Sequence, residues 1–212
     1  MYPAGDAGFR YLAACADPIM SALVSRIGPL HREARRRGRP DDAYGALVRT
    51  IVGQQLSTKA ARSIYNRLAT IFGARPPTPE ELLVADEDQL RAAGLSRPKI
   101  RYLRDLADHI ISGEMDLEAF GDLADDEVTE RITAVKGLGP WSADMFLMFH
   151  LERPDVLPVG DLGIRRAVER TYGLEAMPNP DELRAIAEPW QPHRTLACFY
   201  LWESLDTVPQ AG

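Results

Sequence analysis

Apolar residues in this chain recur at spacings of three and four almost throughout, the period of a helix with one buried face. Leu12, Cys15, Ile19, Leu23 and Ile27 follow that spacing and predict a helix over 9–27, stopped by Gly28-Pro29. A basic, irregular stretch from Arg32 to Asp41 follows. Asp41 or Asp42 then offers an N-cap for a helix over 43–54, and Ser57 or Thr58 one for a helix closed by Gly73. Thr78-Pro79-Glu80-Glu81 opens a short helix, and Asp86–Ala93 is another, closed by Gly94. Ile100, Leu103, Leu106, Ala107 and Ile110 share one face of a longer helix over 97–111. Further helices are predicted after Asp161, over 181–188 and over 192–205. No segment alternates apolar and polar residues at period two. The pattern predicts an all-α fold of about ten helices joined by short loops.

The stretch 130–166 carries the most information. A helix ends with Ile132, Ala134 and Val135, then comes Lys136-Gly137-Leu138-Gly139-Pro140, then an apolar helix from Trp141 to about His150. Two glycines around one aliphatic residue make a tight turn that accepts positive φ, and Pro140 suits the first helical position. This is a helix–hairpin–helix, spanning about 125–150. Such a turn exposes backbone N–H groups with little side-chain bulk and can hold one phosphate of a nucleic-acid backbone.

Composition narrows the choice only slightly. Of 212 residues, 45% are hydrophobic and 26% charged, as in a packed globular fold. No apolar run is long enough for a membrane span, and the N-terminus, with Asp6 and Asp17 and no basic segment, does not read as a signal peptide. Two cysteines, Cys15 and Cys198, are too few for a disulfide framework or a four-cysteine cluster; both read as buried thiols, and an intracellular protein is expected. The net charge of −6 opposes nucleic-acid binding in sum, but binding needs only a local basic face. The candidates are 32–39, 59–67, 97–104, and Lys136 with Arg165 and Arg166.

The hairpin is followed by a Pro-containing loop and by Val159-Gly160-Asp161-Leu162-Gly163-Ile164-Arg165. Far upstream stands Ile51-Val52-Gly53-Gln54-Gln55-Leu56-Ser57-Thr58-Lys59-Ala60-Ala61. In this order the two signatures resemble the helix–hairpin–helix DNA glycosylase superfamily, in particular its DNA-3-methyladenine glycosylase II branch, over roughly Asp42 to Trp202. The resemblance implies two helical lobes, 42–150 with the hairpin, and 1–41 with 151–212. It also implies base excision repair, with double-stranded DNA containing damaged bases as partner, no membrane, and a monomer.

Roles for single residues follow from the same resemblance. Lys136, Gly137, Leu138, Gly139 and Ser142 would contact DNA at the hairpin. Gln55 would fill the gap left by a flipped nucleotide. Trp141, Trp202 and Met145 would line the base pocket, with Trp190, Phe149 and Tyr200 as weaker candidates. An aromatic face attracts a cationic alkylated base by ~0.5–2 kcal/mol. Asp161 would be the catalytic carboxylate, stabilising oxocarbenium character at C1′ or activating water. Backbone carbonyls of Thr133, Val135 and Leu138 would hold a monovalent cation, sodium or potassium; no other cofactor and no iron–sulfur cluster is expected. Bifunctional relatives carry a lysine where this chain has Trp141, so no lyase activity is expected. Two rival readings are a glycosylase for deaminated or oxidised purines and a non-catalytic DNA-binding module that keeps the hairpin.

Overall fold

A computed structural model describes residues 7–30, 40 and 42–207. Among them are twelve α-helices, two short 3₁₀ turns and no strand. The fold is all-α, as the periodicity predicts. The basic stretch 31–39 and Asp41 lie outside the described residues.

The chain divides into two compact units, 38–151 and 1–37 with 152–212. The first unit holds α3 (Ala43–Gly53), α4 (Thr58–Ile71), α5 (Pro79–Val84), α6 (Glu87–Ala92), α7 (Arg97–Ile111), α8 (Asp125–Ala134) and α9 (Pro140–Phe149). Each start has a local cause. Asp42, Ser57, Thr78, Asp86 and Ser96 all accept a first-turn amide of the helix that follows. Helix α9 has the least polar face of the set: Ala143, Met145, Phe146, Leu147 and Met148 are all buried. A helix apolar nearly all round must be enclosed, and α9 packs against both α8 and α3.

The second unit holds α1 (Ala7–Ala13), α2 (Pro18–Ile27), α10 (Leu162–Tyr172), α11 (Pro180–Ile186) and α12 (Arg194–Thr207). Its enclosed helix is α12, where every residue from Leu196 to Leu201 is buried. The single helix expected over 9–27 is two helices. Asp17-Pro18 breaks it: Asp17 Oδ1 accepts the amides of Ile19 and Met20 at 3.0 and 3.1 Å, and Pro18 takes the first helical turn. Asp17 is also a core junction. Its other oxygen accepts Trp190 Nε1–H at 2.9 Å and the Tyr172 hydroxyl. Cys198 is buried as expected, whereas Cys15 is only partly so.

Several cations read as DNA-facing patches end helices instead. Arg67 donates to the Ala93 carbonyl at 2.8 Å, closing α6, and Arg104 to the Ala85 carbonyl at 3.0 Å, closing α5. Lys99 does the same beyond α3. Orphan carbonyls and the negative helix end both favour a cation there. Arg165 is likewise engaged, with the Pro178 carbonyl at 2.8 Å.

Candidate active site and nucleic-acid interface

The hairpin lies between α8 and α9. Leu138 N–H donates to the Val135 carbonyl at 3.1 Å, and Ser142 N–H to the Gly139 carbonyl at 2.8 Å. Only Gly137 uses positive φ, at 82°; Gly139 is extended. Glycine is needed at 137 for a second reason: a Cβ there would stand 2.2 Å from the Tyr102 ring. At Gly139 a Cβ would meet nothing within 4 Å. Leu138 is 4% exposed and packs the turn onto the unit. Ser142 is 2% exposed with its amide spent inside the turn, so it belongs to the hairpin's interior and not to a DNA-facing surface.

Asp105 brackets the turn from α7. One oxygen accepts Lys136 N–H at 2.8 Å, the other the Lys136 ammonium at 2.5 Å. Desolvation works to raise the Asp105 pKa, but these bonds outweigh it and hold the carboxyl below its usual range. Lys136 therefore offers neither its amide nor an unpaired charge. Among the described hydrogen bonds none is donated by the amides of Gly137, which is exposed in the turn, or of Gly139, which is the N-cap of α9.

Gln55 sits just past α3, exposed, with φ of 58°. A non-glycine residue in the left-handed region costs roughly 1–2 kcal/mol, and its neighbours must enforce it. Gln54 Nε2–H donates to the Gly137 carbonyl at 2.7 Å, linking the Gln55 turn to the hairpin.

A cavity of about 290 Å³ opens in the same unit. Its walls include Trp141, Met145 and Phe149 of α9, His150 just after it, and Arg49 and Thr50 of α3. That is the small end of ligand sites, roughly 300–1,000 Å³. Trp141 is 40% exposed there, while Met145 shows only 9% of its surface. Arg49 lies over the Tyr65 ring at 5.9 Å, and burial lowers its pKa while pushing the Tyr65 hydroxyl up to about 12. Arg49, Thr50 and His150 were not among the sequence candidates. Of the weaker candidates, Phe149 lines the cavity. Trp190 and Tyr200 do not: both are fully buried, bonded to Asp17 and to the Gly28 carbonyl.

Asp161 belongs to the other unit and N-caps α10. Its Oδ1 accepts Ile164 N–H at 2.8 Å and Trp202 Nε1–H at 3.1 Å. Trp202 thus orients the carboxylate from α12 through its ring N–H. Gly163 permits this approach: a Cβ there would lie 3.0 Å from Asp161 Oδ1 and 3.1 Å from Trp202 Nε1. The loop before Asp161 is tied to the start of α12. Arg194 pairs with both Asp155 oxygens at 2.8 Å, and Thr195 Oγ1 links the Arg153 carbonyl to Val156 N–H. Carboxylate and loop therefore share one frame.

A helix–hairpin–helix turn and a carboxylate clamped at a helix start define the class. The chain belongs to the HhH-GPD superfamily of base excision DNA repair proteins, whose family model matches residues 48–192. It is 37% identical over 165 residues to DNA-3-methyladenine glycosylase 1 of Schizosaccharomyces pombe, covering 77% of this chain and 72% of that protein. With DNA-3-methyladenine glycosylase 2 of Escherichia coli it shares 27% identity over 197 residues, 89% of this chain and 66% of that one. Among solved structures it resembles the S. pombe 3-methyladenine DNA glycosylase in complex with abasic DNA. That match has a TM-score of 0.87 and 33% identity, covering 95% of this chain and 97% of that one. No helix among the described residues is long and apolar enough to cross a membrane.

Proposed function

We propose that this protein is a monofunctional DNA glycosylase that excises alkylated bases such as 3-methyladenine. The observation that carries the reading is the clamp on Asp161, two N–H donors fixing one oxygen of a carboxylate inside the family's own motif. An N-cap alone needs only the Ile164 bond; the second donor, from Trp202, favours an enzyme over a non-catalytic binding module. The relatives' shared activity toward 3-methyladenine supports the substrate class.

The parts divide the work. The Gly137 and Gly139 amides bind a backbone phosphate without regard to sequence. A base inside the stack is out of reach, so the nucleotide is flipped, and Gln55 takes its place, where its amide can bond the orphaned partner. The aromatic cavity beside Trp141 receives the base, whose positive charge the indole face favours. Asp161 stabilises charge developing at C1′ and orients water. An alkylated base is already a good leaving group, so no strong general acid is needed.

The carbonyls of Thr133, Val135 and Leu138 would hold a monovalent cation behind the phosphate. The Val135 carbonyl already accepts Leu138 N–H, and its second lone pair is suited to such a ligand. Duplex affinity that is equal in potassium and in tetramethylammonium at one ionic strength would refute this.

Chromatography of bases released from methylated duplex DNA tests the main reading. Free 3-methyladenine is expected. Release of hypoxanthine or oxidised purine alone, from duplexes carrying those bases, would favour the rival glycosylase, and no release from any duplex would favour the binding module.

A further inference from the structure

The carbonyls that end α3 are satisfied in an unusual way. Gln54 N–H bonds the Ile51 carbonyl at 3.4 Å, and Leu56 N–H the Gly53 carbonyl at 3.2 Å. The carbonyls of Val52 and Gln54 instead accept the ammonium of Lys99, at 2.7 and 2.8 Å. Lys99 comes from α7, 47 residues from Val52 and half-buried, and desolvation lowers its pKa. Most helices that stop in a left-handed residue use glycine there. This one uses Gln55 at φ 58°, and the energetic penalty for that is accepted only where surrounding contacts over-determine the backbone.

We propose that Lys99 and Gln54 are positioning residues that preset the Gln55 turn and hold it at a fixed distance from the Gly137 turn. This rests on the reading of Gln55 as the wedge and of the hairpin as the phosphate anchor. Lys99 fixes the backbone on both sides of Gly53, including the carbonyl directly before Gln55. The Gln54 side chain then crosses to the Gly137 carbonyl at 2.7 Å, joining two turns 83 residues apart. Wedge and anchor therefore meet DNA as one rigid piece. Phosphate capture at Gly137 and Gly139 places Gln55 opposite a defined nucleotide, and the ordering of its turn is complete before binding. Lys99 does this as a tether between backbone carbonyls, without touching DNA.

The test uses the whole protein with four readouts. They are single-turnover release of 3-methyladenine from methylated duplex, fluorescence of 2-aminopurine beside a tetrahydrofuran abasic analogue, affinity for undamaged duplex, and Tm. Lys99→Met and Gln54→Ala should each slow release about tenfold or more, because small misplacements of a reacting geometry are costly. Both should lower the 2-aminopurine signal and leave undamaged-duplex affinity within about threefold. Lys99→Arg, which keeps donors for both carbonyls, should recover most of the loss. In a Gln55→Ala background the same changes should cost almost nothing more, since they act through that side chain. Costs that simply add to that of Gln55→Ala, or a lower Tm with release unchanged, would overturn the proposal and leave Lys99 as a plain helix cap. If Gln55→Ala itself is silent, the wedge reading fails and the proposal with it; if only Lys99 and Gln54 are silent, the wedge stands alone. Should Lys99→Met fail to fold, Gln54→Ala decides the matter, because its hydrogen bond lies at the surface.

Discussion

Asp161 does two jobs that one pair of substitutions separates. As an N-cap it accepts Ile164 N–H, and as a carboxylate it is oriented by Trp202. Asp161→Asn keeps an oxygen that accepts both donors, and Asn caps helices as well as Asp. Stability should therefore be unchanged. Asp161→Ala loses the cap, worth about 1 kcal/mol, and leaves the part-buried Trp202 N–H without this acceptor, about 1 kcal/mol more. For a chain of this length each kcal/mol moves Tm by about 2–4 °C, so Ala should melt about 4–8 °C lower. Activity should show the opposite grouping. Both variants lose the negative charge, and loss of one preorganised electrostatic group costs roughly 10²–10³ in rate. Trp202→Phe keeps the ring and loses one donor; it should fall between Asn and wild type in rate. Thermal melting and single-turnover release of 3-methyladenine measure the two effects. Release by Asp161→Asn within a few fold of wild type would refute the catalytic role, and release tracking Tm across the three variants would mean that only the cap matters.

The two hairpin glycines should behave differently. Gly139→Val has open space, so Tm should hold within about 1 kcal/mol of stability while affinity for damaged and undamaged duplex falls alike; loss confined to damaged DNA would contradict the phosphate anchor. Gly137→Ala should lower Tm, because the left-handed backbone costs roughly 1–2 kcal/mol and Tyr102 must also move; an unchanged Tm would refute both penalties. Borohydride should trap no covalent protein–DNA adduct, since Trp141 supplies no amine; an adduct that vanishes in Lys136→Ala would place the nucleophile on the other side of the hairpin. Asp105 has its pKa lowered in the folded state, so its bracket on Lys136 is complete above the ordinary aspartate pKa of about 3.9 and is lost as pH falls through the folded value. Tm of the wild type should accordingly fall further between pH 5 and 3 than that of Asp105→Asn, and equal slopes would deny the bracket any share in stability.

Helices were legible because their signals are local. Asp42, Ser57, Thr78, Asp86 and Asp161 all stand where the sequence predicts the start of a helix, and each one does cap. The one clear miss, a continuous helix over 9–27, came from weighing apolar spacing above the Asp-Pro pair that breaks it. Ile19 satisfies the spacing and is 36% exposed. Period alone does not distinguish one helix from two that happen to keep register across a short turn.

The residues proposed for the site stand in motifs that the sequence shows, and those that hold them are related only by distance in the fold. Asp161, the hairpin and Gln55 are contiguous words in the chain. Lys99, Tyr102 and Asp105 are not, yet all three act on those words from a single helix. On α7 they are spaced three apart, so they lie along one side, the side turned to α3 and the hairpin. Read by composition, that side was part of a basic patch. In the fold it is a scaffold whose ammonium, ring and carboxylate hold the Gln55 turn, the back of Gly137 and the amide of Lys136. A net charge of −6 is a poor guide to DNA binding in this chain. Arg67, Lys99 and Arg104 spend their charge on carbonyls inside the unit. In the proposed function the phosphate meets the Gly137 and Gly139 amides of the turn that leads into α9, and their partial positive charge does not enter a count of side chains.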